Sequence, residues 1–211
     1  MIFELLFILL VLISLALLIT AGALSFGSRG HRATGILTKL GISWILYLSI
    51  VLLTAALTRQ QIIPANRDLC FDEMCFAVVS TQTESEVGPS DHRVHANGAF
   101  RIVTLRVSSR ARGRVQREGG LRALLWSPDR RYRTSTSGQS AWQAAHPESA
   151  ALTTRLRPGE SVLSDQVFDV PTDAPALAII LSHGFTPGYF VIGECPLFHK
   201  PTILRLPGET N

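Results

Sequence analysis

The sequence predicts two apolar helices followed by an all-β domain, an antiparallel sandwich or barrel, and three observations carry that expectation. Residues 5–26 form a run of 22 without a charge, and residues 41–57 form a second run of 17. Beyond residue 59 the chain turns mixed and polar, and its apolar side chains fall in short alternating or continuous runs. Gly and Pro separate those runs, and no amphipathic helix of useful length interrupts them.

A helix needs about 20 apolar residues to cross the hydrocarbon core of a bilayer. The first run meets that length directly. The second meets it if it reaches back to Ile36 and Lys39 extends its ammonium toward the headgroups. Helices are therefore expected at about 4–27 and 36–58, as a transmembrane hairpin over 1–58. A cleaved signal peptide has a positive start, a shorter apolar core and a small-residue cleavage site. Here the only charge before the run is Glu4 and the run is too long, so the hairpin is expected to stay uncleaved. Between the helices Arg29, Arg32 and Lys39 are positive and no acid accompanies them. The positive-inside rule then places this loop in the cytoplasm, with the N-terminus and the C-terminal domain outside. Gly22, Gly27, Gly30, Gly35 and Gly41 are small residues near the helix ends, where helices can approach one another.

Residues 59–68 read as a linker, with Pro64 stopping the second helix. Strands are then expected at 70–80, 99–108, 121–127, 130–133, 151–157, 161–170, 176–183, 190–192 and 202–206. In the second of these Val103, Leu105 and Val107 share one face, and Thr104, Arg106 and Ser108 share the other. Pro128-Asp129 and Pro158-Gly159 are turn signals. Residues 84–97 and 135–149 read as polar loops, and 207–211 as a tail.

Four segments carry a family resemblance. They are the strand Gly98-Ala99-Phe100-Arg101-Ile102-Val103, the hairpin Trp126-Ser127-Pro128-Asp129-Arg130-Arg131-Tyr132, the turn Arg157-Pro158-Gly159-Glu160, and Val167-Phe168-Asp169-Val170-Pro171. In this order they resemble the DUF4352 domains of bacterial envelope proteins over about 69–206. Arg130 departs from the pattern, standing where that hairpin often has Gly. The resemblance implies an immunoglobulin-like β-sandwich of a bacterial envelope protein; with the charge rule above, the expected location is the inner membrane with the domain on the periplasmic side. It implies no catalytic residue, and fold alone does not give function.

Among candidate chemistries, Cys70 and Cys75 bracket four residues of a hairpin loop, which sets them opposite each other in an oxidising compartment, and a disulfide is expected. Cys195 is left over: it is buried and inert by default, or else pairs with a partner protein or replaces one cysteine of the first pair. A zinc site from Cys70, Cys75, Cys195 and His199 has the ligand types without the usual spacing. His92 and His95 lack the helical i, i+4 pattern of a zincin and read as solvated. No nucleophile elbow and no Gly-rich phosphate loop is present. No metal, cofactor or catalytic residue is therefore assigned, and an envelope enzyme using Cys195 or a loop His is the minor alternative.

The arginines are the least ordinary feature. Residues 101–133 hold ten Arg against two acids, Glu118 and Asp129. Arg106, Arg110, Arg112, Arg114 and Arg117 are expected along one edge of the sandwich. They serve either as a charged edge that resists pairing or as a surface for an anionic lipid, an envelope polymer or a partner protein. Nucleic acid is not expected, because no reader motif is present. The function this supports is a non-enzymatic, membrane-anchored envelope protein, with an outer domain of a transporter or sensor complex as the alternative.

Overall fold

The computed structural model of the chain describes residues 2–25, 30–174, 178–183 and 201–208. The chain divides into two compact units: among the described residues, the first holds 2–25, 30–60 and Pro201, and the second holds 61–174, 178–183 and 202–208.

The first unit is a pair of helices, α1 (Ile2–Ser25) and α2 (Gly30–Leu57). Their 24 and 28 residues give lengths of about 36 and 42 Å at 1.5 Å per residue. Both are long and apolar enough to cross a membrane. α2 begins six residues earlier than expected, because no Pro interrupts the segment before Ile36, and Lys39 lies inside the helix. Phe7 on α1 meets Trp44 edge-on and lies parallel to Tyr47, at centroid distances of 6.5 and 6.4 Å. The Trp44 indole N–H donates to Ser14 Oγ at 3.0 Å, and Ser14 donates to the Leu10 carbonyl at 2.7 Å. These two bonds satisfy the Trp44 indole N–H and the Ser14 hydroxyl between the helices. Gly22, Gly35 and Gly41 have open space where a Cβ would stand. The contact is therefore built on aromatics, and these glycines do not make it.

The second unit is a two-sheet β-sandwich. One sheet has the order β2-β3-β4-β7 (Leu69–Phe71, Met74–Val87, Val94–Ser109, Ser161–Val170). The other has the order β1-β9-β8-β5-β6 (Ile62–Ile63, Ile203–Arg205, Ala178–His183, Leu121–Trp126, Arg131–Arg133). β3, β4 and β7 stand in the order of immunoglobulin strands A, B and E, while β6, β5, β8 and β9 match the order C′, C, F and G. The fold is thus the expected immunoglobulin-like sandwich. All pairings are antiparallel except β1 on β9, which is parallel. That pair also shortens the expected linker, since Ile62 and Ile63 already belong to the sandwich.

The core lies between the sheets, where Phe76, Val103, Leu105 and Phe168 from one meet Leu125, Ile179 and Leu204 from the other. Full burial of each such side chain is worth about 1.5–3 kcal/mol. Pro128-Asp129 makes the expected turn, closed by the paired backbones of Ser127 and Arg130. Pro158-Gly159 turns with Gly159 at φ 76°, a conformation that only Gly adopts without strain.

Four expectations are corrected. Residues 84–97 are not a loop: β3 and β4 run on through Glu86↔His95 and Val87↔Val94, leaving a turn at 88–93. Residues 151–157 are not a strand. Leu152 and Leu156 are buried four residues apart, and only an isolated bridge joins Leu156 to Gln116. The β2–β3 loop has two residues, Asp72 and Glu73, because Phe71 pairs with Met74. Residues 135–149 hold a helix, α3 (Thr136–Ala145). The expected strand at 190–192 lies outside the described residues.

α3 starts where Ser135 Oγ accepts from the Gly138 N–H, a helix cap, and Pro147 follows its end. The helix packs Ala141 and Trp142 on Phe100, Ile102 and Val167, on the outer side of the β4–β7 pair. Its N-terminal flank and side chains cover the free edge of β7. The Ser135 N–H donates to the Val167 carbonyl at 2.8 Å. Gln139 accepts from the Val167 N–H at 2.9 Å and donates to the Asp165 carbonyl at 2.8 Å. Further along, the Asp165 N–H donates to Ser149 Oγ and the Ala150 N–H to the Leu163 carbonyl, both at 2.9 Å. Residues 135–150 thus stand where a constant-type immunoglobulin sheet has strand D beside E.

Candidate functional site

The arginine-rich loop grows out of β4 and is held by the β2–β3 hairpin. Cys70 and Cys75 are directly paired in register, with Cα atoms 3.9 Å apart and their sulfurs at disulfide distance. This fixes Asp68 and Glu73 at the two ends of one short hairpin. Asp68 accepts from Arg106 at 3.0 Å and from Arg110 at 2.6 Å. Glu73 accepts from Gln116 at 2.7 Å and from Arg114 at 3.3 Å, and its carbonyl accepts from the Arg110 N–H at 2.7 Å. Ala111 is buried and pins the loop to the body of the domain.

These contacts set the protonation of Glu73. The Gln116 hydrogen bond, the bond and charge of Arg114, and the Arg112 backbone N–H hold its pKa below the ordinary 4.5, although burial works the other way.

The five arginines expected to act as one surface therefore divide. Arg106, Arg110 and Arg114 are engaged by carboxylates, though Arg110 and Arg114 remain 63% and 72% exposed. Arg112 and Arg117 are exposed and have no ion pair among the described residues. The rest of the arginine stretch lies elsewhere. Arg122, Arg131 and Arg133 are on β5 and β6 in the opposite sheet, and Arg130 stands 5.4 Å over the Tyr132 ring. Arg101 lies in the middle of β4, its Nε buried without a hydrogen-bond partner. Sequence proximity overstated the cluster, because β4 and β5 belong to different sheets.

The histidines do not converge. His92 Nδ1 lies 3.6 Å from Asp91, and His95 Nδ1 lies 3.6 Å from Glu86, which also pairs with Arg93. His146 stacks on Trp142 at 4.0 Å. Among the described residues no group of three or more His, Cys, Asp or Glu could hold a metal ion. Cys195 and His199 lie outside the described residues.

Sequence reasoning missed a cleft of about 600 Å³ beside β5. Its lining includes Gln139 and Gln143 of α3, Gln166 of β7, and Arg122 and Arg133. α3 supplies one wall, so overlooking the helix concealed the cleft. The signal was present in Gly138, Ala141, Trp142 and Ala145, small or aromatic residues at helical spacing.

No family model and no curated protein sequence matches the chain. Two solved structures are similar to it. One is a conserved hypothetical protein from Bacillus anthracis, with 13% identity and a TM-score of 0.48, covering 58% of this chain and 92% of the other. The second is an uncharacterized β-sandwich protein from Clostridium difficile 630, with 11% identity and a TM-score of 0.41, covering 70% and 95%. Neither likeness bears on function.

Proposed function

We propose that this chain is a membrane-anchored, non-enzymatic binding protein of a bacterial envelope, and that its sandwich engages an anionic lipid or polymer through the loop of Arg112 and Arg117. The observation that carries the reading is that division of the arginines. Two carboxylates fold the loop down through three of them, and two further cations stay exposed on a shaped, disulfide-tethered platform. Each basic side chain near an anionic membrane surface contributes about 1 kcal/mol, so two unpaired guanidiniums with two more exposed ones make a useful contact.

The reading includes the topology that the positive-inside rule favours: α1 and α2 cross the inner membrane, residues 28–39 face the cytoplasm, and the sandwich faces the periplasm. It also keeps the chain with the DUF4352 domains, which the turn at Pro158-Gly159 and the core position of Phe168 support. Protease added to spheroplasts should remove a C-terminal tag and leave a tag inserted between Ser28 and Arg29 intact; the reverse pattern inverts the topology.

The binding test uses the full chain in nanodiscs. Amide exchange over residues 110–117 should slow when anionic phospholipid replaces part of a zwitterionic bilayer, and the slowing should vanish in Arg112→Glu/Arg117→Glu. Equal exchange in both bilayers would sink the lipid form of the proposal.

A further inference from the structure

The cleft beside β5 exists because a hairpin ends early. β6 pairs with β5 only through Leu124↔Arg133, Leu125↔Tyr132 and Trp126↔Arg131. At the next residue the chain leaves this sheet, and Thr134 bridges to Phe168 of β7 instead. β5 itself continues, and Leu121, Arg122 and Ala123 remain paired with His183, Ser182 and Leu181 of β8 on one side only. In an antiparallel ladder alternate residues turn both backbone groups toward the same neighbour. So either Arg122, or Leu121 and Ala123 together, turn N–H and C=O toward the side that β6 has vacated. Among the described residues no hydrogen bond reaches them there.

The space on that side is the cleft, bounded across the gap by Gln139, Gln143 and Gln166. Its charge has one sign. Arg133 is the cross-strand partner of Leu124, and Arg122 is two residues from Leu124, so the two guanidiniums share a sheet face as diagonal neighbours. Both are exposed, and among the described residues neither has an ion pair and no acid lines the cleft. The other long edge, that of β7, is covered from Leu163 to Val167 by residues 135–150. The open stretch of β5 is thus an edge that this fold leaves uncovered while capping its counterpart.

We propose that this cleft receives an extended acidic peptide segment of a partner protein, which adds as a strand to β5 in the place β6 vacates. Backbone hydrogen bonds to residues 121–123 hold the segment in line, as in other strand-addition complexes. Arg122 and Arg133 select acidic side chains on the exposed face, and the exposed amide of Gln143 bonds the strand's polar side chains. The site is separate from the 110–117 loop and does not depend on it.

The test uses the full chain in zwitterionic nanodiscs with three fluorescent decapeptides. One alternates Glu and Thr, one alternates Lys and Thr, and the third is the Glu-Thr peptide with N-methylated backbone amides. The Glu-Thr peptide should bind saturably at low ionic strength and slow amide exchange in residues 121–123. The Lys-Thr and N-methylated peptides should not bind. Arg122→Glu/Arg133→Glu should weaken binding by at least roughly tenfold, since like charges then face each other, and Arg112→Glu/Arg117→Glu should leave it unchanged. Both pairs are exposed, so folding should survive the changes. Absence of saturable binding, or binding that leaves exchange at 121–123 unaltered, or binding lost only in Arg112→Glu/Arg117→Glu, would each overturn the proposal.

Discussion

At the scale of single residues, carboxylate contacts decide what the arginines are for. Asp68 and Glu73 lie 38 to 42 positions before the arginines they hold, so no local pattern in the sequence could show the pairing. The excess of positive charge was legible, but its division into engaged and unengaged side chains was not. Glu73 provides a pH test. Its folded pKa lies below the ordinary 4.5, so its stabilising contribution is complete above the unfolded value and is lost as pH falls through the folded one. Glu73→Gln should therefore unfold more readily than the parent at pH 7, and urea midpoints of the two should converge below pH 4.5. A constant gap across that range would assign the effect to packing instead. Thr81 makes the opposite kind of prediction. Its hydroxyl is buried without a hydrogen-bond partner, and an orphaned buried polar atom costs about 1–3 kcal/mol. Thr81→Val keeps the β-branch and removes the orphan, so it should raise the midpoint of thermal unfolding.

At the scale of elements, the sequence is readable where one face alternates and unreadable where an element is polar on most sides. β4 and β7 were found from their alternation. The outer parts of β3 and β4 were missed because Gln82 to Ser85 are exposed on both faces, which erases the period of two. α3 was missed for a related reason: only Gly138 and Trp142 of its ten residues are buried. Those two nevertheless determine its seat. A Cβ on Gly138 would stand 2.8 Å from Phe100 and 3.1 Å from Val167, closer than packed atoms tolerate, so Gly138→Ala should lift the helix off the sheet. Gln139 acts on the β7 edge as a backbone peptide would, accepting from Val167 and donating to Asp165. Gln139→Ala leaves the Val167 N–H without an acceptor and should cost about 1–3 kcal/mol in urea unfolding. The exposed Gln143→Ala should stay within about 0.5 kcal/mol. The Cys70–Cys75 link closes a short loop, and Cys70→Ser/Cys75→Ser should cost about 2 kcal/mol by the loop-entropy relation.

At the scale of the whole molecule, the two units carry two kinds of core. The helix pair buries Tyr47, Val51 and Ala55 against Phe7, Leu10 and Trp44 and leaves Leu5, Ile45 and Leu57 bare, a surface that water would not tolerate and lipid would. The sandwich does the reverse, and both of its clusters are built from residues at or beyond position 63. Tertiary packing that closes within one segment of chain supports folding of that segment alone. A fragment of residues 61–211 should therefore be soluble and unfold in a single cooperative step, with a dispersed amide spectrum typical of a packed β-domain. The Glu73→Gln and Gln139→Ala effects should appear in that fragment at the size they have in the full chain, because every partner involved lies within it. If the fragment is collapsed without fixed packing, or if those two effects disappear, the helix pair is part of the folding unit of the sandwich. Formation of the helix pair would then have to precede the folding of the sandwich.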